Sequence, residues 1–220
     1  MPTVVITGGS RGLGLEMARR YVAGGFRVVL GNRGQGVALE GAETFRLDVS
    51  DGASVKAFAE RLASAPVDVL INNAGVIGPA RQSTTDMDFE GFAEALAINT
   101  LGPLRVTQAL LPNLRAGAAV KVAVLTSRMG SLSYAKSDRV AYRASKAAAN
   151  KVVQCLATDL AGEGIAVAAL HPGWARTDMG GAEADVDPVD SAKGLVAVIE
   201  RLSVKTTGRF WNYDGTELAW

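Results

Sequence analysis

The chain has 220 residues, 48% hydrophobic and 20% charged, with 23 Lys and Arg against 22 Asp and Glu for a net charge of +1. That length suffices for one large domain with a sizeable core, and the balanced charge gives no basis for a nucleic-acid or membrane surface. A single cysteine, Cys155, excludes an internal disulfide, and no apolar run approaches the roughly 20 residues of a membrane span; Met1 and Pro2 run straight into "TVVITGG" with no secretory pattern, so a cytoplasmic protein is expected.

The first apolar, β-branched run, 3–8, predicts a strand that ends in "TGGSRGLG". Gly8, Gly12 and Gly14 there have the spacing G-x-x-x-G-x-G, and a helix over 13–24 follows. Glycine permits a tight turn and close approach of backbone to a pyrophosphate, and the helix start offers free N–H groups and a positive dipole end. Without a ligand the same stretch reads as a plain Gly-rich turn. A second strand, 27–32, closes on "VVLGNRG", and a weaker one, 43–49, carries Asp48. A helix over 53–64 leads to a strand at 67–73 ending in "NNAG".

A long helix is predicted over 89–114 and contains Asn99; the strand 120–127 ends on Thr126 and Ser127. The next helix, 140–161, has no Gly or Pro and opens with "VAYRASKAA", which puts Tyr142 and Lys146 on one face, one turn apart. A strand at 165–172 leads into "PGWART" and the short segment "MGGAEADV" at 179–186. A helix over 188–203 and a strand over 208–213 complete the chain. Nearly continuous hydrophobic strands are strands covered on both faces, and their alternation with helices implies βαβ units. The expectation is an α/β, Rossmann-type, doubly wound, mainly parallel seven-stranded sheet with helices on both faces, in a single domain over 1–220.

"TGGSRGLG", "NNAG", Asn99, Ser127, "YRASK" and "PGWART", in this order, resemble the short-chain dehydrogenases/reductases over essentially the whole chain. "SRMGS", "HPGWARTDMGG" and the ending "GRFWNYDGTELAW" look closer to the C-factor/sniffer-type branch of carbonyl reductases. The resemblance implies hydride transfer between a nicotinamide and a carbonyl or alcohol carbon. Tyr142 would be the general acid/base, with its pKa lowered by Lys146 and by the oxidised nicotinamide. Lys146 would also bind the nicotinamide ribose, Ser127 would hold the carbonyl oxygen, and Asn99 would bind a water that connects Lys146 to solvent.

The expected cofactor contacts are Gly8, Ser10, Arg11, Gly12, Leu13 and Gly14 in the glycine turn, then Asn32 and Arg33, then Asp48 and Val49. Further along they are Asn73, Ala74 and Gly75, then Thr126, Tyr142 and Lys146, and finally Pro172, Gly173 and Thr177. NADP(H) is expected over NAD(H). Asn32 stands where NAD-binding members carry an acid, and Arg11 and Arg33 can converge on a 2′-phosphate.

The expected substrate is a small carbonyl or alcohol compound, in an open pocket edged by Arg128, Met129, Tyr134, Trp174 and Met179. Arg128 is left with two readings, an anionic substrate or a pair with Asp138. Tyr134 has Asp138, not a lysine, four residues on, so it cannot repeat the Tyr142 arrangement. His171 reads as structural and Cys155 as a core thiol, and no residue spacing suggests a metal site. A signalling or regulatory protein that binds the cofactor without much turnover is the alternative. The apolar helices 89–114 and 140–161 suggest a homodimer.

Overall fold

Seven strands form one sheet in the order β3-β2-β1-β4-β5-β6-β7. The structure, a computed structural model, describes residues 1–34 and 38–220, which include every site residue named above. The strands are β1 (Thr3–Thr7), β2 (Arg27–Asn32), β3 (Ala42–Arg46), β4 (Val69–Asn72), β5 (Lys121–Leu125), β6 (Ala166–His171) and β7 (Phe210–Asn212). Every neighbouring pair is parallel, so the sheet expected to be mainly parallel is wholly so among the described residues.

Successive strand residues point to opposite faces, and each face has its own core. Val5, Val29, Leu70 and Val122 pack on one side against Phe58 of α2 (Gly52–Leu62), Val106 of α4 (Gly102–Ala109) and Val153 of α6 (Val140–Leu160). Val4, Ile6, Val28, Leu30 and Ile71 pack on the other against Met17 and Tyr21 of α1 (Gly12–Ala23) and Leu195 and Ile199 of α7 (Pro188–Arg201). The weaker third run is the partly exposed edge strand β3, tied to β2 by the Arg27–Glu43 pair at 2.7 Å.

The long helix predicted over 89–114 is not continuous. It divides into α3 (Phe89–Leu96), a π-helical turn (Ala97–Leu101), α4, and α5 (Leu111–Arg115). The cause is legible in two prolines. Pro103 has no N–H for the carbonyl of Asn99, four residues before it, so the α register cannot close there. Pro112 interrupts the next turn in the same way.

The strand order reverses between β1 and β4. In a doubly wound sheet a crevice opens at such a switch point, beyond the C-terminal strand ends.

Candidate active site

A cleft of about 660 Å³ lies at this switch point, and its floor is the glycine turn between β1 and α1. Gly8 and Gly12 have φ of +67° and +52°, the left-handed region in which a Cβ is penalised. Asn73 braces the turn: its amide donates to the carbonyls of Thr7 and Gly8, both at 2.9 Å. The Thr7 hydroxyl in turn accepts from the backbone N–H groups of Asn73 and Ala74. A side chain at Gly14 would run into the Gly8 carbonyl and the Asn73 amide, so Gly14 shapes the turn without lining the cleft. Helices α2, α3 and α7 each start on an Asp whose carboxylate accepts a first-turn N–H. The start of α1 has no side-chain cap and no acid in its first turn, which leaves its N–H groups and dipole for an anion in the cleft.

Ser10, Arg11, Leu13, Asn32, Arg33, Asp48 and Val49 line the same cleft. Asn32 is buried, and neither atom of its amide has a hydrogen-bond partner. Ser50 donates both its backbone N–H and its hydroxyl to Asp48 Oδ1, at 2.9 and 2.6 Å. These bonds, with the charges of Arg33 and Arg46, hold the Asp48 carboxyl below its usual range. Arg33 therefore lies close to Asp48. Arg11 lines the same cleft, and its guanidinium donates to Asp178 at 3.1 Å rather than pointing with Arg33 toward one partner. Both partners of that bridge are largely exposed, so it is a weak tie that another anion can displace.

Ala74, Gly75, Thr126, Pro172 and Thr177 continue the wall, and the Thr126 hydroxyl is buried without a partner. Gly173 lies behind the wall, where a Cβ would press on the Tyr213 ring.

Tyr142 and Lys146 reach the cleft from the first turns of α6, and both are at least nine-tenths buried. The Lys146 ammonium donates to the Leu125 carbonyl at 2.8 Å and sits 5.8 Å from the centroid of the Tyr142 ring. Burial lowers its pKa to about 8. Burial pushes the Tyr142 phenol up, against an opposing hydrogen bond with Ser127 and the charge of Arg139. The expected lowering invoked Lys146 together with the oxidised nicotinamide; among the protein groups by themselves, burial outweighs the lowering influences. Lys146 is over the ring face and held by a carbonyl, so desolvation of the phenolate wins.

Asn99 sits in the π turn, buried, and both hydrogens of its amide are used by protein acceptors. It accepts from the N–H of Val76 and donates to the Val76 carbonyl and the Ser145 hydroxyl. Its side chain therefore fixes the loop after β4 to α6. Ser145, which sequence reasoning passed over, completes this network by donating to the Tyr142 carbonyl. Gln82 was also missed: it accepts from the backbone N–H of Tyr142 at 3.1 Å.

The residues expected to edge the substrate pocket are dispersed. Met179 lines the cleft and an adjoining cavity of about 690 Å³; the linings described for these two spaces do not include Arg128, Met129, Tyr134 or Trp174. Arg128 stacks over Tyr134 at 5.6 Å, and Asp138 pairs with Arg143 at 2.6 Å, which removes the reading of an Arg128–Asp138 pair. Trp174 donates its indole N–H to the Gly180 carbonyl. The Met129 N–H donates to the Ser127 hydroxyl. His171 is largely buried and its pKa falls to about 4, chiefly through that burial, so it stays neutral. Cys155, expected in the core, is exposed. Among the described residues no helix is long and apolar enough to cross a membrane, and no group of three or more His, Cys, Asp or Glu could hold a metal.

A family model described as short chain dehydrogenase matches residues 2–187. The C-signal of Myxococcus xanthus is 50% identical over 168 residues, covering 76% of this chain and all of that protein. The carbonyl reductase Sniffer of D. melanogaster superposes with a TM-score of 0.91 at 29% identity over the full length of both chains. An NADPH-bound carbonyl reductase from chicken fatty liver superposes with a TM-score of 0.89 at 30% identity, covering 100% of this chain and 99% of that one.

Proposed function

The chain belongs to the short-chain dehydrogenase/reductase family, and from that premise we propose that it is an NADPH-dependent reductase of small aldehydes and ketones, able to run the reverse alcohol oxidation. The observation that carries this reading is the buried pair of Tyr142 and Lys146, opening on the cleft that holds the uncapped start of α1. A module that only bound a nucleotide would have no use for a phenol and an ammonium desolvated together at that point.

The residues present fit the cofactor. The open N–H groups of α1 suit a pyrophosphate, and the unpartnered Asn32 amide and Thr126 hydroxyl are buried polar groups that lack a partner in the cleft wall. A neutral Asn32 beside the cationic Arg33 favours a 2′-phosphate, which an acid would repel. When bound, NADPH supplies the hydride. Tyr142 then gives its phenolic proton to the carbonyl oxygen, and the Ser127 hydroxyl holds that oxygen. Lys146 steadies the charge left on Tyr142 and passes on the replacement proton. The single cysteine suits a cytoplasmic setting, and α3, α4 and α6 are the faces we assign to a homodimer.

Loss of the NADPH absorbance band is the test, measured with a panel of aldehydes and ketones. Consumption with at least one compound supports the reductase. Tight NADPH binding with no consumption across the panel favours a cofactor-binding signalling protein instead. The 50% identity with C-signal is the observation behind that second reading.

A further inference from the structure

The second cavity adjoins the cleft at Met179 and is walled by Gly78, Gln82, Ser137 and Arg139. Its charges are mostly spoken for: Arg81 pairs with Asp86 at 3.0 Å and Asp138 with Arg143 at 2.6 Å. Arg139 has no ion pair and no side-chain hydrogen bond among the described residues, and it is exposed. It is also badly placed for stability. It occupies the position before α6 with φ +53° and ψ +51°, a left-handed conformation that a β-carbon disfavours. A cation there opposes the helix dipole, whereas α2, α3 and α7 carry Asp at the same position. Backbone strain and an unfavourable charge beside a catalytic centre, with no stabilising partner in return, mark a residue kept for function.

The place of Arg139 gives that function. It precedes Tyr142 by three residues, and its charge is among the influences acting on the Tyr142 phenol. We propose that Arg139 is a specificity-determining residue that binds a carboxylate on the substrate, so that the preferred substrates are small aldehydes or ketones carrying an anionic group. This rests on the reductase reading above. The carbonyl would face Tyr142 and Ser127 while the anionic end extends past Met179 into the second cavity, where a planar guanidinium can hold a carboxylate by two hydrogen bonds.

A matched pair of probes tests it: 4-formylbenzoate and its methyl ester, which share the aldehyde and differ in the charge. The unmodified protein should show a higher kcat/KM for the acid by roughly tenfold, carried mainly in KM and weakened by added salt. Arg139→Gln should bring the acid-to-ester ratio close to one, and Arg139→Lys should keep part of the preference. Arg139→Asn, which tolerates the left-handed backbone, guards against a folding artefact and should lose the preference as Gln does. No preference in the unmodified protein, or a preference that survives Arg139→Gln, overturns the proposal. Calorimetry of 4-formylbenzoate on protein saturated with NADP+ reads the subsite without turnover. Binding that disappears in Arg139→Gln, with no aldehyde reduced by any form, would keep the anion subsite and overturn the reductase reading. Absence of both binding and turnover overturns the subsite.

Discussion

Lys146 and Tyr142 feel the same burial and respond in opposite directions: the ammonium falls to about 8 and the phenol rises. In the pH range above 8 the lysine therefore loses its proton first, while Tyr142 still holds the one it must donate. Reductase kcat/KM should be level below that pH and fall with unit slope above about 8; a profile level to pH 10 would contradict the role given to Lys146. Arg33 carries a second prediction. Charge-assisted bonds contribute about 1.5–3 kcal/mol, so Arg33→Ala should weaken NADPH binding roughly 10- to 150-fold and leave NADH almost unchanged, as measured by fluorescence titration. Equal losses for both cofactors would remove Arg33 from the 2′-phosphate site. Much of this residue-level account was legible beforehand. Gly8 and Gly12 announced a turn that needs positive φ; helical spacing put Tyr142 and Lys146 on one face, and only the family resemblance gave the pair its role. The partners were not legible. Arg11 meets Asp178 at a separation of 167 residues, and Arg128 turns to Tyr134, because long side chains choose partners by tertiary proximity that spacing does not encode.

The broken helix between β4 and β5 shows how an element can be misread when its apolar content is counted and its prolines are not. Residues 89–114 carry a helical pattern throughout, yet Pro103 and Pro112 divide it, and the π turn at Ala97–Leu101 carries Asn99 against the loop after β4. That connection should be measurable. Asn99→Leu keeps the volume but strands the Val76 N–H and carbonyl, which it now satisfies, while the Ser145 hydroxyl loses one donor and keeps its bond to the Tyr142 carbonyl. Each such group left unpaired costs about 1–3 kcal/mol, so a loss of about 2 kcal/mol or more is expected, seen as a fall in Tm of roughly 4–8 °C. An unchanged Tm would show that the network does not brace the loop. By contrast, α6 was predicted nearly to its ends, since its 21 residues contain neither Gly nor Pro.

For the molecule as a whole, the strand runs were the most readable feature. Val4, Val5 and Ile6 are all fully buried because the sheet is covered on both faces, and that coverage is what makes a continuous apolar run read as a parallel strand. The homodimer we propose would use faces that a single copy leaves open. Leu101 in the π turn is 43% exposed and Phe89 at the start of α3 is 77% exposed, so light scattering at micromolar concentration should give twice the mass of one chain; a monomer mass would rule out the dimer. The proposed reductase stands or falls on Tyr142 as its proton donor. Turnover and cofactor affinity of Tyr142→Phe, measured together with NADPH and a reducible aldehyde, test it most directly. Phe keeps the ring against α6 and deletes only the hydroxyl. NADPH should still bind while turnover falls by about 10²–10⁴-fold; residual turnover above about a tenth of the unmodified rate, larger than a lost general acid allows, would remove Tyr142 from that role.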